Sequence, residues 1–303
     1  MITLRGILAP VVTPFDARGD VNLHGFASNV RAHVAAGACG IVVTGSTGEA
    51  ALLDDAERSA LVDRARRELS SDCTLIVGTG AESTRATIAR TRAAAKRGAD
   101  GVLVVAPHYY GEAMTPDALL SHYHAVADAS PVPVMLYTIP KYMHFAVPPH
   151  VVAQLAVHEN IVGMKDSSGD ASLFAQYLQS QGKAFHVLTG SGVLFGEALR
   201  MGAYGGILAV SLFAAERSFA VWDARQSGDE AAATRAQALL TPLAATIVGG
   251  MGVAGVKSAM DHVGLAGGAP RPPLQPLDPA RHAALLDLMR NEDREAAHLV
   301  SAV

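Results

Sequence analysis

The chain has 303 residues, half of them hydrophobic, and a net charge near −4 with no basic stripe, which allows one large core and excludes the electrostatic footprint of a nucleic-acid binder. Its two cysteines, Cys39 and Cys73, sit beside or within apolar runs, which favours buried packing in a reducing cytoplasm over a disulfide framework. The opening Met1-Ile2-Thr3-Leu4-Arg5 lacks the basic region and long apolar block of a signal peptide.

In chain order, apolar runs of strand length are predicted at Gly6–Val12, Gly40–Thr44, Thr74–Gly78, Gly101–Val105, Val134–Tyr137, Ile161–Lys165, His186–Thr189 and Gly206–Val210. They are rich in β-branched residues and nearly continuous in apolarity, as strands covered on both faces must be. Helical patterns lie between them at Asp54–Leu69, Ser83–Arg97, Thr115–Ala129 and Ala171–Gln181. Asp54 followed by Glu57 predicts a capping box, Thr115 before Pro116 a helix start, and Gly37 and Gly98 helix stops. The uncharged stretch Ala236–Val256 contains Pro242 and several glycines, so it reads as a packed helix-turn-helix and not as a membrane span.

Eight strands alternating with helices predict an α/β fold, the (β/α)₈ TIM barrel, over residues 1–225. The rival, an open doubly wound sheet, usually carries a Gly-x-Gly-x-x-Gly turn after its first strand, where this chain has Thr13-Pro14-Phe15-Asp16. Residues 226–303, Ala-rich and with a Pro-rich Ala269–Pro276, read as a C-terminal helical extension packed on the barrel.

Function in such a barrel gathers where strands end. Strand two ends in Gly45-Ser46-Thr47-Gly48-Glu49, strand four in Pro107-His108-Tyr109-Tyr110, strand five in Tyr137-Thr138-Ile139-Pro140, strand six in Lys165-Asp166-Ser167-Ser168-Gly169, and strand seven in Gly190-Ser191-Gly192. Lys165 is the most informative, being one of only five lysines against nineteen arginines and ending a buried-looking run. A lysine aimed into a barrel mouth loses hydration, which favours the neutral amine that attacks a carbonyl. The competing reading pairs it with Asp166 or another carboxylate. Lys96, Lys183 and Lys257 read as solvated surface positions, and Lys141 as a weaker competitor. Ser46 and Thr47, set between glycines, can turn hydroxyls and backbone N–H groups toward an anion, or can simply form a helix cap. Tyr137 can shuttle a proton or can simply pack with a bonded hydroxyl. His122 and His124, two apart on a helix, make a poor metal pair.

Gly45-Ser46-Thr47-Gly48-Glu49, Tyr137-Thr138-Ile139-Pro140 and Gly163-Met164-Lys165-Asp166-Ser167-Ser168-Gly169-Asp170 resemble the dihydrodipicolinate synthase / N-acetylneuraminate lyase family of class I aldolases, over nearly the whole chain. The resemblance implies a Schiff base at Lys165, carboxylate binding by Ser46 and Thr47, acid–base work by Tyr137, and a pocket lined near Gly190 and Ile207. It implies a hydroxyl relay of Thr47 and Tyr110, in which Tyr110, or Tyr109, enters a neighbouring subunit's site. The expected assembly is therefore a homodimer or homotetramer, with no nucleic-acid or membrane partner. Tyr142 occupies the position where dihydrodipicolinate synthases usually carry an arginine for the semialdehyde's carboxylate, and Gly192-Val193 replaces the acidic pair of sialic-acid lyases. Among members, Pro107-His108-Tyr109-Tyr110, Asn160–Lys165, Gly190-Ser191-Gly192 and Gly267–Leu274 look most like 4-hydroxy-2-oxoglutarate aldolases. The expected activity is reversible lyase chemistry on a 2-oxo acid linked to pyruvate or glyoxylate, without metal or organic cofactor. The alternative within the family is 4-hydroxy-tetrahydrodipicolinate synthase, and from other classes a phosphosugar isomerase or a non-catalytic 2-oxo acid binder.

Overall fold

A computed structural model describes residues 2–301; Met1 and residues 302–303 lie outside the described residues. Eight parallel strands close into a barrel in chain order: β1 Gly6–Pro10, β2 Gly40–Val43, β3 Thr74–Gly78, β4 Gly101–Val105, β5 Val134–Thr138, β6 Ile161–Asp166, β7 His186–Thr189 and β8 Gly205–Ile207, with β8 pairing back onto β1. The helices are α1 Leu23–Ala35, α2 Asp55–Glu68, α3 Thr84–Lys96, α4 Pro116–Ala129, α5 Pro140–Met143, α6 Pro149–Leu155, α7 Ala171–Leu178, α8 Phe195–Arg200, α9 Ala215–Ser227, α10 Glu230–Leu243, α11 Gly252–His262 and α12 Pro279–Ser301. The chain is a (β/α)₈ barrel carrying further helices at its C-terminal end.

The strands are where continuous apolarity places them, because both of their faces are covered. Every residue of β1, β2, β3, β5 and β8 is buried. Each fully buried Leu, Ile or Val contributes roughly 1.5–3 kcal/mol, so a core of this extent needs no covalent staple. Both cysteines are free; burial pushes the Cys39 thiol up to about 12 and keeps it protonated at neutral pH. The helix starts follow the sequence signals. Asp54 and Glu57 form the reciprocal capping box of α2, Thr115 caps α4 with Pro116 in its first turn, and Gly37 and Gly98 take the positive φ that ends the preceding helices.

Three elements differ from expectation. β1 stops at Pro10, although the Val11 N–H still donates to the Val42 carbonyl at 3.1 Å, and β8 stops at Ile207, where the chain winds into a 3₁₀ turn at Ala209–Leu212. The expected helix-turn-helix over Ala236–Val256 is instead one helical run from Glu230 to His262 whose middle, Ala244–Met251, is π-helical. Pro242 removes a rung of α10, and the wider π turns begin two residues later. By length and composition this run could cross a membrane, with mean hydropathy 1.7. In the fold its Leu240, Leu243, Ile247, Val256 and Met260 join the barrel's core cluster, as do Leu285 and Met289 of α12.

Candidate active site

The register of β5 against β6 builds the site. Tyr137 lies level with Lys165, and Thr138 level with Asp166. Level residues on parallel neighbours point to one face and the next pair to the other. Tyr137 and Lys165 therefore share the barrel interior while Asp166 faces the surrounding helices. The alternation itself removes the reading in which Asp166 neutralises the lysine. Lys165 Nζ stands 4.6 Å from the centroid of the Tyr137 ring, with the two residues 6 % and 3 % exposed, and no carboxylate among the described residues pairs with it.

The strand ends shape the space around that amine. At Gly190, after β7, a Cβ would stand 2.7 Å from Lys165 Cε and 2.0 Å from Ser167 Oγ, so only hydrogen leaves room for the lysine arm. The Gly45–Glu49 turn after β2 is closed by Gly48 N–H and Ala50 N–H donating to the Gly45 carbonyl at 3.0 and 3.2 Å, and by the Thr13 hydroxyl donating to the Gly48 carbonyl at 2.7 Å. Thr44 and Glu49, at its two ends, hold φ of 53° and 56°. Left-handed backbone at such residues costs on the order of 1–3 kcal/mol each and persists only where tertiary contacts impose it. The turn brings Ser46 Oγ within 3.4 Å of the Tyr137 hydroxyl, where either can donate. Thr47 is half-buried beside it, and Ile207 is buried in β8.

Two expected residues lie further out. Tyr142 sits in α5 and is 42 % exposed; burial and then the nearby Tyr137 raise the pKa of its hydroxyl. Tyr110 is 70 % exposed on the loop after β4, packed edge-on against Tyr109 with ring centroids 5.0 Å apart. The other lysine candidates are settled by their partners. Lys141 Nζ donates to the Gly249 carbonyl at 2.7 Å. Lys257 is not solvated: it is 0 % exposed and paired with Glu49 at 2.5 Å. A signal for this existed, since Lys257 follows directly on the uncharged Ala236–Val256 stretch and Glu49 closes the Gly45–Glu49 motif.

Asp166, read from the sequence as a possible partner of Lys165, is instead a buried acid with partners of its own. Burial lifts its carboxyl to about 6, although the Ser168 N–H and hydroxyl, donating at 2.9 and 2.8 Å, pull it back. A carboxyl with a raised folded-state pKa favours its protonated form in the fold, so its contribution is largest near pH 4 and is lost as pH rises toward about 6. Urea titrations of the wild type and Asp166→Asn should show the stability difference moving against the wild type by on the order of 2–3 kcal/mol between those pH values and staying flat above. A difference constant with pH would refute the assignment.

Residues 3–291 match the Dihydrodipicolinate synthetase family. The chain belongs to this family. A 4-hydroxy-tetrahydrodipicolinate synthase from an Exiguobacterium species is 33 % identical over 292 residues, 96 % of this chain and 99 % of its own. The dihydrodipicolinate synthase DapA-2 of Bacillus anthracis matches with a TM-score of 0.91 at 30 % identity, covering 96 % of this chain and 99 % of that one. A prophage protein of the dihydrodipicolinic acid synthase family from Escherichia coli K12, solved in complex with pyruvate, matches at TM-score 0.90 and 29 % identity with the same coverage. The chain is thus a lyase of the class I aldolase type, which removes the isomerase and non-catalytic readings. The narrower likeness to 4-hydroxy-2-oxoglutarate aldolases is not carried by these relatives, two of which are named as synthases of 4-hydroxy-tetrahydrodipicolinate or dihydrodipicolinate.

Proposed function

We propose that the enzyme condenses the Lys165 amine with a 2-oxo acid, pyruvate being the leading candidate, and makes or breaks a carbon–carbon bond beside the resulting imine. The observation that carries this reading is a buried amine with no carboxylate partner among the described residues, 4.6 Å from the ring of a tyrosine whose hydroxyl reaches a serine at 3.4 Å. The amine attacks the ketone carbon to give a carbinolamine; loss of water gives the iminium, which withdraws the electron pair left when a proton or an aldehyde departs from the neighbouring carbon. Tyr137 moves protons to the departing water and to the aldol oxygen, with Ser46, Thr47 and Tyr110 as hydroxyl relay. Ser46, Thr47 and the backbone after β2 receive the acid's carboxylate. Gly190, Ile207 and Tyr142 line the remaining pocket. The imine supplies the electrophile, so the scheme calls for no cofactor. The exposed Tyr109–Tyr110 pair supports a site completed by a second copy of the chain in a homodimer or homotetramer.

Two acceptors divide the reading. The relatives' names favour 4-hydroxy-tetrahydrodipicolinate synthesis. Tyr142 favours retro-aldol cleavage of a 4-hydroxy-2-oxo acid or a 2-keto-3-deoxy acid, because a phenol cannot grip a second carboxylate with the paired N–H groups of an arginine. Borohydride reduction with pyruvate, followed by peptide mass analysis, should place one reduced adduct on Lys165; an adduct elsewhere, or none with any 2-oxo acid, ends the proposal. Turnover with a semialdehyde acceptor against retro-aldol release from 4-hydroxy-2-oxo acids decides between the acceptors. Tyr137→Phe should slow turnover by roughly 10²–10⁴-fold while adduct still accumulates on long incubation.

A further inference from the structure

Among the described residues, the one lysine with a fully buried carboxylate partner lies outside the barrel strands. Lys257 of α11 donates to Glu49 Oε1 at 2.5 Å and to the Ala269 carbonyl at 2.9 Å, and the Arg271 backbone N–H donates to Glu49 Oε2 at 2.7 Å. The Phe15 ring packs against both cations, 4.5 Å from Lys257 Nζ and 4.2 Å from the Arg271 guanidinium carbon. Arg271 in turn grips Glu57 with both terminal nitrogens at 2.7 and 2.5 Å and the Leu52 and Gly19 carbonyls at 2.8 and 2.6 Å. Two segments more than 200 residues apart in sequence are thus tied at one carboxylate.

That carboxylate belongs to the last residue of the turn that faces Lys165. Glu49 holds left-handed backbone without being glycine, and its N–H donates to the Ser46 carbonyl at 3.1 Å. A conformation this sparsely populated needs an external hold. The Thr13 hydroxyl on the Gly48 carbonyl and the Arg58 guanidinium on the Ala50 carbonyl anchor its neighbours, while Lys257 and the Arg271 backbone hold the Glu49 side chain. Burial alone would drive Lys257 toward its neutral form; Glu49 opposes this.

We propose that Lys257 is a positioning residue: by holding Glu49 from the C-terminal helices, it keeps the Ser46–Thr47 turn in the shape that receives the carboxylate of the 2-oxo acid. The inference rests on the imine reading above. It predicts that the barrel strands alone are not sufficient for tight substrate binding, since one support of the carboxylate cradle comes from α11.

The test is the pyruvate concentration giving half-maximal borohydride trapping, in the full chain. Lys257→Met leaves Glu49 a buried charge without its partner and threatens the fold itself, so the deciding variant is the doubly neutral Lys257→Met/Glu49→Gln, which removes both charges together and is the change that buried pairs tolerate best. This variant is expected to melt as one cooperative unit and still to be labelled on Lys165 at saturation, but to need about tenfold to a hundredfold more pyruvate, the weight of one or two charged hydrogen bonds. kcat at saturation should change by less than KM, a split that general loss of folded protein does not produce. A folded double variant with the wild-type half-saturating concentration overturns the proposal. Wild-type protein that pyruvate never labels overturns the imine reading instead, so the two failures are distinguishable.

Discussion

Lys165→Ala is expected to lose the reducible adduct entirely and to lower turnover by at least ~10⁴-fold, as removal of a covalent nucleophile does. Two rival amines are committed elsewhere, Lys141 to the Gly249 carbonyl and Lys257 to Glu49. The fold should survive, because the amine removed is buried without a carboxylate partner among the described residues, so no opposite charge there is stranded. Measured together, an unchanged melting temperature and an absent adduct identify a chemical role; an adduct of undiminished yield on the variant would transfer the imine to another residue.

Gly190→Ala should damage activity far more than stability. The added carbon would press on two side-chain atoms, Lys165 Cε at 2.7 Å and Ser167 Oγ at 2.0 Å. Side-chain ends can swing aside, so the expected stability loss is modest, about 1–3 kcal/mol. What cannot be kept is the direction of the amine, and misplacing a reacting atom by about an ångström costs roughly 10²-fold in rate. Gly182→Ala, where the new carbon meets nothing within 4 Å, serves as the control and should match the wild type. Turnover by Gly190→Ala within twofold of that control would mean that the lysine arm does not need this gap.

The barrel was legible in the sequence because parallel strands buried on both faces must be apolar throughout, and because α2, α3 and α4 begin with side chains that accept from their first free N–H groups. What misled was the use of charge as a sign of exposure. Lys257 reads as solvated because lysine usually is, and nothing local shows that Glu49 waits for it across more than 200 residues. The helix-turn-helix expected over Ala236–Val256 failed for a related reason: proline and glycine predict a break, but a helix supported by neighbours can widen into π turns and continue.

By itself the sequence determined the alternation of strands and helices, the strand ends where chemistry collects, and Lys165, Tyr137 and Ser46 as the groups to watch, since each of these is a local property of period and residue type. Only the tertiary structure decided that Lys165 faces Tyr137 and not Asp166, that Gly190 is the space its side chain occupies, and that α11 reaches back to the turn after β2. Register and long-range pairing are settled by barrel closure and by the cost of burying a charge without its opposite, and neither is written in any short stretch of chain.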